Sequence, residues 1–385
     1  MRASEGRIAN GRFGSPGMIA IQRWIFVAVV LVTVGVTSAV VAQNANVAPP
    51  GSSAPAPQAV APSADCRDEH ALTYLCGLAV PEDILNVGST GFLLASGHRA
   101  PGHMYLIDPA ARTQSELVHG ANFRLQHDTR AYPDCPGPLN LQAFDVHGLS
   151  LAETSPRRFS IYSTSHGARE AIEIYDLDLR GAAPILTWRG CVLLQQDGYF
   201  NSVARLADGG FVTTRMRDQT YSAAGGAPAG ITGRLFEWHP GGQLQPLAGT
   251  ELSLPNGIDV SKDQRYVFVA AMGSQEVVRF DRRATPAAKR AVSVPIRPDN
   301  VHWAADGKLL TAGPNYVAPT VCSGTSCATG WSVLELDPET LAFVRLGGAD
   351  QTAAMQRVSS AMRVGDDIWV SSNDDRVARF SLKRR

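Results

Sequence analysis

Apolar runs of six residues recur along this chain at intervals longer than a hairpin and shorter than a domain. They read GFLLAS (91–96), FSIYST (159–164), GFVTTR (210–215), YVFVAA (266–271), KLLTAG (308–313) and DIWVSS (367–372). After a short gap each is answered by a second run: MYLIDP (104–109), AIEIYDLD (171–178), RLFEWHP (234–240), EVVRFD (276–281), SVLELDP (332–338) and RVARFSL (376–382). Ahead of each pair stands a polar or small residue at a corresponding place: Glu82, His147, Asn201, Asn256, Asp299 and Ser359, spaced 43 to 65 residues apart. Val, Ile, Phe, Tyr and Trp enrich the runs, and no long stretch after residue 65 sets apolar residues at helical spacing.

This pattern predicts one strand-rich unit used six times. A repeat of roughly 40 to 50 residues built from short strands and turns is a propeller blade, whose small sheet buries its faces against its neighbours. The turn chemistry agrees: Ala-Asp-Gly at 207–209 and 305–307, Ser-Lys-Asp at 261–263 and Gly-Asp-Asp at 365–367 each precede a strand. The expected fold is an all-β, six-bladed β-propeller of four strands per blade over 65–385, with a β-sandwich as the competing all-β arrangement. In a propeller the innermost strands surround one channel, so the marker residues, far apart in sequence, are expected to face one another.

The N-terminus is of another kind. Arg2, Arg7, Arg12 and Arg23 lead into an uncharged apolar run at 24–42, which reads as a signal peptide cleaved after Ala42 or as an uncleaved membrane anchor over 1–42. Residues 43–64 are rich in Pro, Ala and Ser and form a linker, since they bury too little to offset ordering entropy. The folded domain is therefore expected outside the cytoplasm, periplasmic or secreted. Six cysteines suit that compartment, and nearness in sequence suggests Cys66–Cys76, Cys322–Cys327 and Cys135–Cys191 among the possible disulfide pairings. Lys plus Arg and Asp plus Glu are equal at 35, with no basic run beyond the leader, which argues against a nucleic-acid partner.

Convergence at a channel turns the markers into chemistry. Glu82, Asn201, Asn256, Asp299 and the adjacent Asn300 are hard oxygen donors, two of them anionic, and Ca²⁺ takes six to eight such oxygens. His147, and His166 in Ser-Thr-Ser-His-Gly, are each followed by glycine at a strand end and are candidates to take a proton from water. No G-x-S-x-G, H-E-x-x-H, Walker or dinucleotide motif occurs. His98, His103, His119 and His127 show no ligand spacing and read as loop or surface residues.

The run FDVHGLSLAETSPRRFSIYSTSHGAREAIEIYDLD (144–178) resembles the paraoxonase/arylesterase family of calcium-dependent lactonases, near the gluconolactonase and SMP-30-like propellers. PEDILNVGSTGFLLASG (81–97), GYFNSVARLADGGFVTT (198–214), LPNGIDVSKDQRYVFVA (254–270) and PDNVHWAADGKLLTAG (298–313) fit in the same order. The resemblance covers most of 76–313. It implies a catalytic calcium on Glu82, Asn201, Asn256, Asp299 and Asn300, and a water-activating pair in His147 and His166. It also implies a second, structural calcium on Asp83 and the Leu149 carbonyl, although the acidic residue that the family uses after the asparagine is Ser202 here. The family's disulfide to the chain end has no partner after Cys327, so ring closure is left to strand pairing or another bridge.

The reading that follows is an exported calcium-dependent hydrolase of carboxylic esters, a lactonase or arylesterase acting on a small-molecule lactone or ester, with activity falling below about pH 6.5 as the histidines protonate. The alternatives are a gluconolactonase-like or strictosidine-synthase-like enzyme on the same scaffold, or a non-catalytic propeller stabilised by calcium. Loops 120–140, 216–232 and 314–330, with Phe123, Tyr132, Tyr221 and Tyr316, are the candidate pocket walls. The sequence leaves the substrate, any membrane association through 24–42 and the oligomeric state open.

Overall fold

Most strand-like runs find a partner close by in sequence, so the chain folds into a succession of small, mainly antiparallel sheets. The structure, a computed structural model, describes residues 66–69, 71–218, 230–316 and 329–383. The N-terminal leader and linker, Tyr221, and the Cys322 and Cys327 pair lie outside the described residues.

After a first strand β1 (Thr73–Cys76), one sheet holds β2 (Ile84–Asn86), β3 (Leu93–Gly97), β4 (His103–Asp108) and β5 (Thr113–Glu116). The second holds β6 (Phe123–Leu125), β7 (Asp145–Ser155), β8 (Arg158–His166), β9 (Ala171–Asp178) and β10 (Ile185–Leu193). The third comprises β11 (Gly198–Arg205), β12 (Phe211–Asp218), β13 (Arg234–Trp238) and β14 (Gln245–Pro246), and the fourth β15 (Pro255–Val260), β16 (Tyr266–Ala271), β17 (Glu276–Asp281) and β18 (Ala288–Ser293). The fifth is β19 (Val301–Trp303), β20 (Leu309–Pro314), β21 (Trp331–Leu336) and β22 (Phe343–Ala349). The sixth is β23 (Val358–Val364), β24 (Asp367–Ser372), β25 (Arg376–Ser381) and, at its outer edge, β1. The first strands β2, β7, β11, β15, β19 and β23 touch one another in that cyclic order. The molecule is a six-bladed β-propeller, all-β with no helix among the described residues.

Closure of the ring rests on strand pairing. β1 runs antiparallel to β25, with Tyr74 opposite Ala378 and Cys76 opposite Arg376, so the last blade is made from both ends of the domain. A disulfide joins Cys66 to Cys76 at the end of β1, and Tyr74 donates its hydroxyl to Glu69 at 2.9 Å.

One departure from four strands per blade occurs, in the second. There β6 adds to β10 in parallel, Leu186 opposite Phe123, because the long segment between β5 and β7 folds back along the outer edge and is tied there by Cys135–Cys191. Phe123 and Tyr132 belong to that edge packing. They pack against the core shared by the first two blades, with Tyr132 lying against Gly190, so neither is a channel wall.

The core is a set of apolar layers between facing blades, such as Leu235, Val267, Val269 and Phe280 between the third and fourth. Burial runs from the channel outward: β16 is buried along nearly its whole length, whereas β18, outermost in the same sheet, is mostly exposed. Inner strands therefore read as continuous apolar runs without alternation. Each fully buried Val, Leu or Phe contributes about 1.5–3 kcal/mol.

Candidate functional site

Four of the six marker residues sit where strand register breaks. His147 lies in the shift between Val146 and Leu149, Asn201 between Phe200 and Val203, Asn256 between Pro255 and Ile258, and Ser359 between Val358 and Ser360. A β-bulge re-aims a side chain that the regular pleat would send into a blade interface. Glu82 and the Asp299-Asn300 pair stand in the irregular segments immediately ahead of β2 and β19. All seven residues are buried.

Close approach of the inner strands depends on the glycines that follow two markers. A Cβ on Gly148 would lie 2.6 Å from Ser202 Cα, and one on Gly257 would lie 2.4 Å from Asn300 Cα. With glycine there, hydrogen bonds link neighbouring blades near the channel. Gly257 donates its amide to the Asp299 carbonyl at 2.8 Å, Asn300 donates to the Ser359 carbonyl at 2.8 Å, and Thr214 donates its hydroxyl to the Asn256 carbonyl at 2.6 Å. Ser359, the one marker without a predicted role, donates its hydroxyl to the Glu82 carbonyl, as does Ser371.

The predicted oxygen donors come together. Asn300 Nδ2 donates to Glu82 Oε1 at 2.8 Å, Asn256 hydrogen-bonds Asp299, and Asn201 Nδ2 lies 3.4 Å from His147 Nε2. The amide nitrogens are thus spent within the ring, while Glu82 Oε2, Asn201 Oδ1, Asn256 Oδ1 and Asn300 Oδ1 are buried with no hydrogen-bond partner. Four orphaned buried oxygens, contributed by four different blades, suit a hard cation, because each would otherwise cost about 1–3 kcal/mol.

Electrostatics agree with that fit. Burial pushes the Glu82 carboxyl well above its usual range, reinforced by the charges of Asp299 and Asp83 and opposed by Asn300 and His302. Burial also raises Asp299, to about 7, with the Asn256 hydrogen bond opposing and Asp83 adding to the rise. Two carboxylates that resist ionising together are what a divalent ion neutralises. Among the described residues no group of three or more His, Cys, Asp or Glu side chains is arranged for a metal, so cation binding here depends on the amide oxygens.

His147 and His166 also meet, His147 Nδ1 lying 3.0 Å from His166 Nε2. Behind them stands Glu170, with Oε1 2.7 Å from His166 Nδ1. A carboxylate only accepts, so His166 Nδ1 carries the proton, His166 Nε2 accepts, and His147 Nδ1 donates to it. The lone pair of His147 Nε2 is left facing Asn201 and Glu82 Oε1, the latter at 3.7 Å. Burial holds the His147 pKa well below 6.5, and His98 and His166 press it the same way.

The sequence reading missed three groups here. Glu170 is one, four residues after His166. Tyr199, whose ring stacks on His166 at 4.4 Å, stands two residues before Asn201, and that period-two spacing was the available signal. His98 lies in the loop after β3, as expected, but stacks on His147 at 4.0 Å and 10° and bonds Asp145; nothing local marked out that contact. His103, His119 and His127 hydrogen-bond Glu116, the Gly102 carbonyl and the Tyr132 carbonyl, away from the His147–His166 pair.

Beside His166 opens a cavity of about 470 Å³ lined by Pro136, Leu139, Phe144, Leu193 and Leu194, with Arg169 on its wall. Arg169 is fixed by a bidentate pair to buried Glu173, which also accepts from Trp188 Nε1 at 2.7 Å.

The expected second cation position is different. Asp83 is completely enclosed, but Oδ1 accepts from His302 Nε2 at 2.7 Å and the Ile84 amide at 2.9 Å, and Oδ2 from the Leu149 amide at 2.8 Å. Burial lowers the His302 pKa, but Asp83 and Asp259 outweigh it and carry the group to about 10. These residues do not fit a second calcium: N–H groups point at Asp83 where an ion would stand.

The fold is that of a six-bladed propeller, and residues 167–339 match the family described as SMP-30/Gluconolactonase/LRE-like region. That region takes in Asn201, Asn256, Asp299 and Asn300 and stops short of Glu82 and the His pair. No curated protein matches the chain. A solved structure put forward as a gluconolactonase superposes with a TM-score of 0.50 at 15% identity, covering 82% of this chain and 94% of that one, and shares the fold. A luciferin-regenerating enzyme gives 0.49 at 15%, covering 81% and 97%, and a calcium-binding regucalcin from Agrobacterium tumefaciens 0.46 at 11%, covering 79% and 90%.

Proposed function

We propose that the protein is a calcium-dependent hydrolase of carboxylic esters, a lactonase or arylesterase acting on small-molecule substrates outside the cytoplasm. The observation that carries this reading is the set of four orphaned buried oxygens on Glu82, Asn201, Asn256 and Asn300 next to a histidine whose Nε2 lone pair faces Asn201 and Glu82. With Asp299, these residues would hold one Ca²⁺, which when bound supplies a Lewis acid for the substrate carbonyl and for the negative charge that develops on it.

The protein's own groups account for the proton. His147 Nε2 accepts it from the attacking water as the water oxygen bonds to the carbonyl carbon, and the resulting imidazolium is stabilised through His166 by Glu170. The proton then returns to the alkoxide or phenoxide that leaves. Pro136, Leu139, Phe144 and Leu194 offer an apolar wall for the substrate's hydrocarbon part, away from bulk water. Two disulfides agree with an exported domain, whether 1–42 is removed as a signal or retained as an anchor.

The experiment is turnover of aliphatic lactones, sugar lactones and aryl esters by the full chain, before and after chelation and after calcium is restored. Hydrolysis lost on chelation and regained with calcium is expected. A chelated and reloaded protein that stays folded and hydrolyses none of the panel refutes the enzyme reading. Turnover of sugar lactones alone would favour a gluconolactonase-like activity, the reading that the matched family region favours.

A further inference from the structure

Asp83 follows Glu82 directly, yet the two carboxylates have opposite surroundings. Glu82 keeps an oxygen without a partner, whereas every oxygen of Asp83 already accepts a hydrogen bond, three in all, from the His302 imidazole, the Ile84 amide and the Leu149 amide. Leu149 presents its N–H to this carboxylate, and Ser202 stands where an acidic ligand would be needed. What surrounds Asp83 is therefore donor, not acceptor, and a cation placed there would meet three N–H groups.

His302 reaches in two directions. Its Nε2 is 2.7 Å from Asp83 Oδ1, and its Nδ1 is 3.7 Å from Asp259 Oδ2, which also accepts the Trp303 amide at 3.3 Å. Asp83 precedes β2, Leu149 is on β7, Asp259 on β15 and His302 on β19, so four of the six blades meet at one imidazole and its two carboxylates. His302 is only 3% exposed. Joining carboxylates from opposite sides of the ring is the work that a structural divalent ion does in such a channel.

We propose that the His302 side chain permanently takes the place of a second, structural cation, so that this propeller binds one divalent ion and holds its ring across the channel through an Asp83–His302–Asp259 bridge. The proposal rests on the functional reading only in taking Glu82 and its neighbours as the ligands of that one ion.

Two measurements test it, neither of which reads activity. Calcium is titrated calorimetrically into the chelated full chain, and the metal content of the dialysed protein is measured by elemental analysis. One ion per chain is expected, and two per chain overturn the proposal. A count of zero would sink the calcium reading above and, with it, the one-ion part of the proposal, while the bridge is judged by the melting measurement. The second measurement is thermal unfolding in excess chelator of the parent, His302→Ser, the conservative His302→Asn and Asp83→Asn. Each variant is expected to melt several degrees below the parent, and the His302→Ser/Asp83→Asn double variant no lower than the worse single one. Melting of His302→Ser and His302→Asn at the parent temperature would overturn the bridge. The ion count needs no variant, so the proposal stays exposed if a variant fails to fold.

Discussion

Replacing Glu170 by Gln separates positioning from charge in the histidine relay. The Glu170 carboxylate lies 2.7 Å from His166 Nδ1, and the side chains of His166 and Glu170 are 8% and 16% exposed, so solvent screens the contact only partly. A glutamine oxygen can accept the same proton and keep the tautomers of both rings, but it cannot offset the positive charge that the pair acquires in the transition state. A hydrogen bond to a charged group is worth about 1.5–3 kcal/mol and a neutral one about 0.5–1.5, a difference of roughly 1 to 1.5 kcal/mol. Felt only when the proton has moved, that difference lowers kcat about tenfold and leaves KM nearly unchanged. It also disfavours the protonated pair, so the acid limb of kcat moves to lower pH, which a merely structural defect would not do. The assay is steady-state hydrolysis of one lactone and one aryl ester from pH 4.5 to 8.5, with melting temperature as the folding control. A Glu170→Gln enzyme with kcat within twofold of the parent at every pH, and an unmoved acid limb, would refute the relay.

Other consequences follow from the same geometry. In the parent, His147 acts as base only when neutral, and burial with His98 and His166 beside it lowers its pKa, so the neutral form persists as pH falls through 6.5. The acid limb of kcat/KM is therefore expected below pH 6.5, lower than the sequence alone implied, and a midpoint at or above 6.5 would count against His147 as the base. Gly257→Ala sets a methyl 2.4 Å from Asn300 Cα and 2.7 Å from the Val301 amide nitrogen, backbone that cannot turn aside. It should cost about 1–3 kcal/mol in denaturant unfolding and weaken calcium binding together with it. Removing the Cys135–Cys191 bridge, which closes a separation of 56 residues, should cost up to about 4 kcal/mol by chain entropy and raise KM, since the segment it pins lines the cavity beside His166. An unchanged melting temperature in the Cys135→Ser/Cys191→Ser variant would show that the edge of the second blade holds without it.

Much of the architecture was legible because propeller blades are local. Each sheet pairs strands adjacent in sequence, so runs such as YVFVAA and EVVRFD announce a hairpin wherever they occur. The markers were legible for a related reason: the same place in each unit reaches the same channel. Less legible were features that depend on one particular unit. β6 is a polar and apolar mixture whose pairing with β10 is set by a distant disulfide, and β1 reads as an isolated strand until β25 meets it.

The repeat, its turns, the residue types at the channel and the glycines beside them were determined by the sequence alone, because steric and hydrogen-bonding preferences of short segments decide them. Only the tertiary structure decided which side chains complete the site. His98 reaches His147 from another blade, Glu170 sets the tautomers from beyond a turn, and His302 comes from the fifth blade to the carboxylate after Glu82. Those contacts arise where loops and inner strands of different blades meet around a closed ring, and that meeting exists only once all six blades are in place.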